Sequence, residues 1–436
     1  MLPMNFSQLK TRYQSYTYAY PHKTAYRALT PRQLSDVWQE QDKQSLFLYF
    51  HIPFCEMRCG FCNLFTLVNA STSLEAEYLN ALERQAKQTK QSLGEMKVVQ
   101  LAIGGGTPTY LKPAELERLY EIIDIFDVEY SQVPSSVETS PATATPDRLR
   151  ILAARNTQRV SIGVQSFVES EVKSVGRPQR NEKVFRSLDA IRDVGIPVLN
   201  IDLIYGLAFQ TPQSWLYTLK TALKFAPEEL FLYPLYVRPL TGIGLSGKSW
   251  DDERFELYQL GRDFLLEQGY EQVSMRMFRR PNSHAGQGEY CCQNDGMIGL
   301  GCGARSYTRS LHYSSEYAVG KEGVRSILEN YVQRSAQDFA EVGYGYQLNQ
   351  DNQRRRFIIQ SLLHSSGLSC SLYHQRFHSE PLQDYPQLRE LFALNMAQQN
   401  DRQITLTPKG LAWSDAIGPW LYANEITRLM HSYELS

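Results

Sequence analysis

The sequence has no run of 18 or more apolar residues, so no transmembrane helix is expected. It has no excess of charge of either sign, because 45 Lys and Arg stand against 46 Asp and Glu. That balance argues against a mainly electrostatic nucleic-acid partner. The start, Met1-Leu2-Pro3-Met4-Asn5-Phe6, lacks the charged and apolar regions of a signal peptide. Cysteine is scarce: seven residues, an odd count that does not describe a secreted disulfide framework. A reduced, cytoplasmic protein is expected. Internal repeats and low-complexity tracts are also absent. The length of 436 residues predicts two or three domains. Tyrosine, by contrast, is plentiful, which is compatible with a pocket for a flat ligand without establishing one.

Three of the cysteines form one cluster, Cys55-Glu56-Met57-Arg58-Cys59-Gly60-Phe61-Cys62, with no fourth nearby. A [4Fe–4S] cube normally takes four Cys thiolates. Three on a short loop would hold three irons and leave the fourth open to a small-molecule ligand. Structural zinc is the competing reading, but it wants paired hooks and four ligands, and no second hook exists. Cys291, Cys292, Cys302 and Cys370 match no second cluster and read as ordinary buried thiols.

From Ser45 onward, apolar runs alternate with helical patterns. Strands are expected at 46–52, 98–103, 136–139, 159–164, 198–204 and 230–235, and helices at 74–93, 113–125, 146–154, 181–194 and 211–225. Pro113, Pro146 and Pro212 stand at helix starts, where a missing N–H costs nothing. Repeated strand–helix units predict an α/β fold with a parallel sheet and right-handed crossovers. Six units are too few for a closed eight-fold barrel, so an open partial (β/α)6 barrel is expected. The expected division is an N-terminal arm at 1–44 laid on the main domain, the barrel with its extension at 45–310, and a helical C-terminal domain at 311–436.

Barrel enzymes place their chemistry at the C-terminal ends of the strands. There the cysteine loop follows the first strand and Gly104-Gly105-Gly106-Thr107-Pro108-Thr109 the second. Glu138, Gln165 and Asp202 fall at the third, fourth and fifth. The glycine loop lacks the Gly-Lys-Ser/Thr of a phosphate-binding loop. It is either a tight turn or a backbone surface for a ligand. Glu138, Gln165 and Asp202 bind a ligand or pair internally. Arg177 reaches a carboxylate or lies in solvent. His51 touches substrate or fills the core. Arg276, Arg279 and Arg280 make a basic knot that is either solvated surface or an anion site.

The segments Tyr49-Phe50-His51-Ile52-Pro53-Phe54-Cys55, Ser161-Ile162-Gly163-Val164-Gln165-Ser166-Phe167 and Asn200-Ile201-Asp202-Leu203-Ile204-Tyr205-Gly206-Leu207 join the cysteine and glycine loops in a combined pattern. That pattern resembles the oxygen-independent coproporphyrinogen III oxidase family of radical S-adenosylmethionine (SAM) proteins. The resemblance covers most of the chain, including Leu406-Thr407-Pro408-Lys409-Gly410 in what looks like a winged-helix-like C-terminal domain. It implies a [4Fe–4S] cluster on Cys55, Cys59 and Cys62, and SAM contacts from Tyr49, Gly105 and Glu138. Phe61, Gly106, Thr107, Gln165, Arg177 and Asp202 match positions that contact a second SAM in the oxidase, so one or two SAM molecules are implied. The implied reaction is oxidative decarboxylation of coproporphyrinogen III to protoporphyrinogen IX, with an electron donor such as flavodoxin or ferredoxin. A sister group with the same motifs chaperones haem.

Two features pull apart. The family oxidases usually carry a further Cys two residues after the third ligand, where this chain has Leu64. The arm Tyr16-Thr17-Tyr18-Ala19-Tyr20-Pro21, however, is similar to the oxidase arm and not to the chaperones. The segments Tyr290-Cys291-Cys292-Gln293-Asn294-Asp295-Gly296-Met297 and Gly299-Leu300-Gly301-Cys302-Gly303-Ala304-Arg305-Ser306-Tyr307 match neither group well. If the substrate is a tetrapyrrole carboxylate, Arg276, Arg279, Arg280 and Arg305 are the candidate cations.

Overall fold

A computed structural model describes residues 6–9, 11–236, 253–281, 283 and 296–433. Its centre is a sheet of six parallel strands: β1 (Leu46–Ile52), β2 (Val98–Gly105), β3 (Ser135–Thr139), β4 (Arg159–Gln165), β5 (Val198–Tyr205) and β6 (Glu229–Pro234). They lie side by side in chain order, and every neighbouring pair is parallel. In β1 six of seven residues are buried, the near-continuous apolar run of a strand covered on both faces. The sheet stays open, as six units predicted.

Helices return the chain between strands at Thr72–Leu93, Pro113–Asp124, Pro146–Ala154, Asn181–Asp193 and Pro212–Leu223. The prolines occupy first-turn positions as expected. Ser71 and Thr211 cap two of the helices by accepting from the backbone N–H of Leu74 and Ser214, at 3.2 and 3.1 Å. A short helix at Glu169–Ser174, too brief to show a period, was not anticipated.

Beyond β1 the sheet continues. Met297–Leu300 pairs with it in parallel, and Arg305–Tyr307 and Leu311–Ser314 follow antiparallel. These strands are only three or four residues long, which hid them from a periodicity reading.

The chain divides into two compact units, and the division departs from the expected 1–44, 45–310 and 311–436. One unit comprises 28–270 and 279–345 with the sheet; the other gathers 1–27, 271–278 and 346–433. Residues 6–9 and 11–27 of the N-terminal arm therefore group with the C-terminal segment, while 28–44 belong to the unit that holds the sheet. Phe6 sets its ring edgewise on Trp413 and Trp420, with centroids 5.8 and 5.2 Å apart. The Tyr20 hydroxyl donates to Asn352 Oδ1 at 2.5 Å. This second unit also holds a three-stranded antiparallel sheet of Leu368–Ser369, Gln403–Leu406 and Ala397–Gln399 among helices.

Candidate functional site

Parallel strands in register deliver their C-terminal ends to one rim, and the candidate residues collect there. The cysteine loop leaves β1 through Pro53 and is fastened at several points. Gly60 N donates to Val175 O at 2.7 Å, and Cys62 N donates to Cys59 O at 3.0 Å. Arg58 donates to the carbonyl of Val319. The Ser140 hydroxyl, just after β3, donates to Glu56 Oε1 at 2.6 Å. Sequence reasoning had no signal for the Glu56–Ser140 contact, which joins residues 84 positions apart.

The glycine loop is hydrogen-bonded to the start of the cysteine loop. Gly106 N donates to Ile52 O and Thr107 N to Phe54 O, each at 2.8 Å. The Thr107 hydroxyl lies 3.4 Å from Cys55 Sγ. Gly105 has φ +112°, and a Cβ there would stand 2.6 Å from the His51 ring. Only glycine fits that conformation and that approach. His51 itself is buried: its Nε2 lies 3.0 Å from Phe65 O and its Nδ1 3.2 Å from the Tyr49 hydroxyl. Of its two readings, core filling is the one its contacts support.

Glu138 accepts from Gly105 N at 3.0 Å. Its side chain is exposed, although protein atoms crowd around it. Burial pushes its carboxyl up to about 7; the Gly105 hydrogen bond opposes this and nearby Asp202 adds to it. Its exposure to water lessens the effect. Asp202 is also raised by burial, although Asn200 and Ser161 donate to it at 2.8 and 3.1 Å. Gln165 sits where the β4–β5 register shifts, with φ +69°. Arg177 donates to Cys59 Sγ at 3.1 Å, Gly163 O at 2.6 Å and Gln179 Oε1 at 3.2 Å. It is buried and engaged, so the solvated-surface reading does not hold. Phe61 packs with Val175, Ile204, Leu207 and Leu235.

The basic knot does not form an anion site as a group. Arg276 is buried in the second unit, paired with Asp415 at 2.5 Å and lying 3.8 Å over the Tyr16 ring. The expectation that it meets substrate carboxylates is corrected on this ground: its charge is already met by a buried carboxylate. Arg280 donates to the Tyr270 hydroxyl at 3.2 Å. Arg279 is half-buried at a strand end, and Arg305 lies within a strand. Cys302 is buried and Cys370 half-buried. Cys291, Cys292 and the rest of 290–295 lie outside the described residues.

The donor set fits an iron–sulfur cluster. Burial raises the Cys55 and Cys62 thiols, which stay protonated unless a metal centre takes the thiolates. Among the described residues no three His, Cys, Asp or Glu side chains converge on a single ion. A cube has its irons at separate corners, so its thiolates need not converge. Among the described residues no His or carboxylate gathers with the three cysteines into the four-ligand set of structural zinc.

Residues 49–222 match the Radical SAM superfamily. The chain thus carries a radical SAM domain, and that class works with a [4Fe–4S] cluster and SAM. Over 91% of its length it is 28% identical to 91% of the oxygen-independent coproporphyrinogen III oxidase of Escherichia coli. The solved structure of that oxidase, HemN, described as a radical SAM enzyme, superposes with a TM-score of 0.76 at 27% identity, covering 89% of this chain and 92% of the other. The haem chaperone HemW of Bacillus subtilis is 25% identical over 86% of this chain and 98% of its own. No helix among the described residues is long and apolar enough to cross a membrane.

Proposed function

We propose that the chain is a radical SAM enzyme acting on a tetrapyrrole, with coproporphyrinogen III the first candidate. One observation carries the reading: the three-cysteine loop, the glycine loop and Glu138 are joined by hydrogen bonds at the ends of the first three parallel strands. Cys55, Cys59 and Cys62 hold the cluster. Tyr49, Gly105 and Glu138 contact the SAM bound to it. Phe61, Gly106, Thr107, Gln165, Arg177 and Asp202 border the space beyond, where a second SAM or the substrate sits. When bound, the cluster and SAM supply a 5′-deoxyadenosyl radical that abstracts hydrogen from the substrate.

The protein's own part is placement. The Glu138 carboxylate offers a partner for the SAM ammonium, in surroundings where a lone negative charge is disfavoured. Pairing with the ammonium therefore favours the ionised form. The glycine loop brings backbone close to the ligand, and Arg177 holds Cys59 against the end of β4. The apolar packing around Phe61 excludes water on the β5 side.

A haem chaperone is the second reading. It is favoured by Leu64 in place of the usual oxidase cysteine and by the resemblance to nearly the whole of HemW. The N-terminal arm, docked through Tyr20, favours the enzyme.

The test is anaerobic reconstitution. The enzyme reading expects about four irons per chain, cluster-dependent formation of 5′-deoxyadenosine and methionine, and protoporphyrinogen IX from coproporphyrinogen III. An intact cluster that never cleaves SAM rules out radical chemistry. SAM cleavage that leaves the porphyrinogen untouched rules out the oxidase. Stoichiometric haem binding with transfer to an acceptor protein, and no product, establishes the chaperone.

A further inference from the structure

Arg177 carries a buried positive charge that no carboxylate answers. It is 8% exposed, yet no Asp or Glu among the described residues lies within ion-pair distance of it. A charge taken out of water needs a partner of opposite sign. The three nitrogens of its guanidinium are all engaged. Nε donates to Gln179 Oε1 at 3.2 Å, Nη2 to Gly163 O at 2.6 Å and Nη1 to Cys59 Sγ at 3.1 Å. Of these three acceptors only the Cys59 sulfur can become an anion, and it does so as a thiolate ligand.

The contact is held from both sides. Arg177 lies just past the helix Glu169–Ser174, and its backbone N donates to Val172 O at 3.0 Å. Two residues earlier, Val175 O accepts from Gly60 N at 2.7 Å, so the backbone beside Arg177 is tied to the residue after Cys59. Gln179 fixes the guanidinium from the other side. Its Nε2 donates to Val164 O and Ser166 O at 3.0 and 3.3 Å, which leaves Oε1 to accept from Arg177. Gly163 and Val164 belong to β4, so the cation is clamped between the end of that strand and the cysteine loop. The planar fork of Arg meets three acceptors at once, which the point charge of Lys does not. Gln179 carried no signal in the sequence.

We propose that Arg177 is the counter-charge of the cluster and raises its reduction potential through Cys59, and that Gln179 is the residue that positions it. This rests on the cluster reading of Cys55, Cys59 and Cys62 and not on any substrate. Reduction adds one electron from an external reductant to the cluster; no bond breaks and no proton moves. Three thiolates leave the oxidised cluster with about one negative charge, and reduction makes it about two. A cationic N–H donor on a ligand sulfur stabilises the more negative state more strongly, so it eases reduction. The same clamp gives the buried guanidinium its missing anion.

The test is an anaerobic redox titration of the cluster-loaded full-length protein with dithionite and mediator dyes, followed by the electron paramagnetic resonance of the reduced cluster. SAM is left out, so a residue that served only to bind SAM would not move the midpoint. Arg177→Gln should make the cluster about tenfold harder to reduce, a shift of about 59 mV to more negative potential for one electron. Arg177→Lys, which keeps the charge, should recover part of that shift. Gln179→Ala, which keeps the cation but frees it, should shift the midpoint the same way by less. Lys173→Gln removes an exposed cation four residues before Arg177 and should leave the midpoint unchanged. A wild-type midpoint in Arg177→Gln, or a shift as large in Lys173→Gln, overturns the inference alone. A wild-type midpoint in Gln179→Ala alone overturns the role of Gln179. If Arg177→Gln holds no cluster, Arg177→Lys and Gln179→Ala decide, and wild-type midpoints in both overturn the inference. A wild type that takes up no cluster overturns the cluster reading and the inference with it.

Discussion

Replacing Arg276 by Ala should destabilise the protein without directly touching its chemistry. Arg276 and Asp415 meet at 2.5 Å with side chains 5% and 1% exposed. The Arg276 guanidinium also lies 3.8 Å over the Tyr16 ring. Removing the cation takes the guanidinium from the buried Asp415 carboxyl, which costs up to about 3–5 kcal/mol. The lost cation–π contact, about 1–2 kcal/mol when desolvated, overlaps with that figure and is not added to it. A folded protein has about 5–15 kcal/mol in all, so the variant should unfold at clearly lower urea concentration. Replacing both partners together, Arg276→Met with Asp415→Leu, removes the buried carboxyl as well and should recover most of the loss, since buried ion pairs exchange for apolar pairs near neutrality. Urea unfolding of the wild type, the single variant and the double variant measures both effects. Anaerobic assays of SAM cleavage and product formation are run alongside, at a temperature where all three are folded. If Arg276→Ala keeps its stability but loses product formation, the reasoning is refuted and the guanidinium meets a substrate anion after all.

Glu138 gives a pH test. Its carboxyl is raised toward about 7 in the folded protein against an unfolded value of 4.5, so the folded state binds the extra proton between those values. Its contribution to stability is therefore greatest at low pH and is lost as pH rises through 7. Glu138→Gln should flatten that part of the thermal stability profile, and SAM affinity measured by equilibrium dialysis should rise from pH 6 to 8 in the wild type but not in the variant. Gly105→Ala should cost about 2–4 kcal/mol in urea unfolding, because its Cβ would stand 2.6 Å from the His51 ring at φ +112°; a neutral result would show that the loop can relax. Replacing Cys55, Cys59 or Cys62 by Ala should abolish reconstituted cluster absorbance, while Cys370→Ser, in the other unit, should leave it intact.

What could be read from the sequence follows from how local its cause is. The six central strands were legible because a sheet covered on both faces needs continuous apolar runs, and the helices between them announce themselves with first-turn prolines. The glycine loop was legible as a place of close approach, though its contact with His51 was not, since that needs the β1–β2 register. What escaped were relations between distant positions. Arg276 looked like part of a surface knot because its partner Asp415 lies 139 residues away. The arm looked like a cover for the barrel, but Phe6 finds Trp413 and Trp420. The strands at 297–314 are too short and glycine-rich to show a period.

The rim falls between these cases, and the register explains why. Glu138 pairs with Ser161, Ser161 with Asn200, and Gly163 with Asp202. Successive parallel strands thus bring Glu138 and Asp202 to within two residues of the same height, although 64 positions separate them in the chain. Knowing only that a polar residue ends each apolar run is enough to place it on the rim, because parallel pairing leaves no other end for it. Their mutual influence, with Asp202 helping to hold the Glu138 proton, appears only once the strands are laid side by side. That coupling makes the carboxylate pair responsive to a cation placed among them. A site that lowers the cost of its own charge by accepting an ammonium suits a cofactor that brings one.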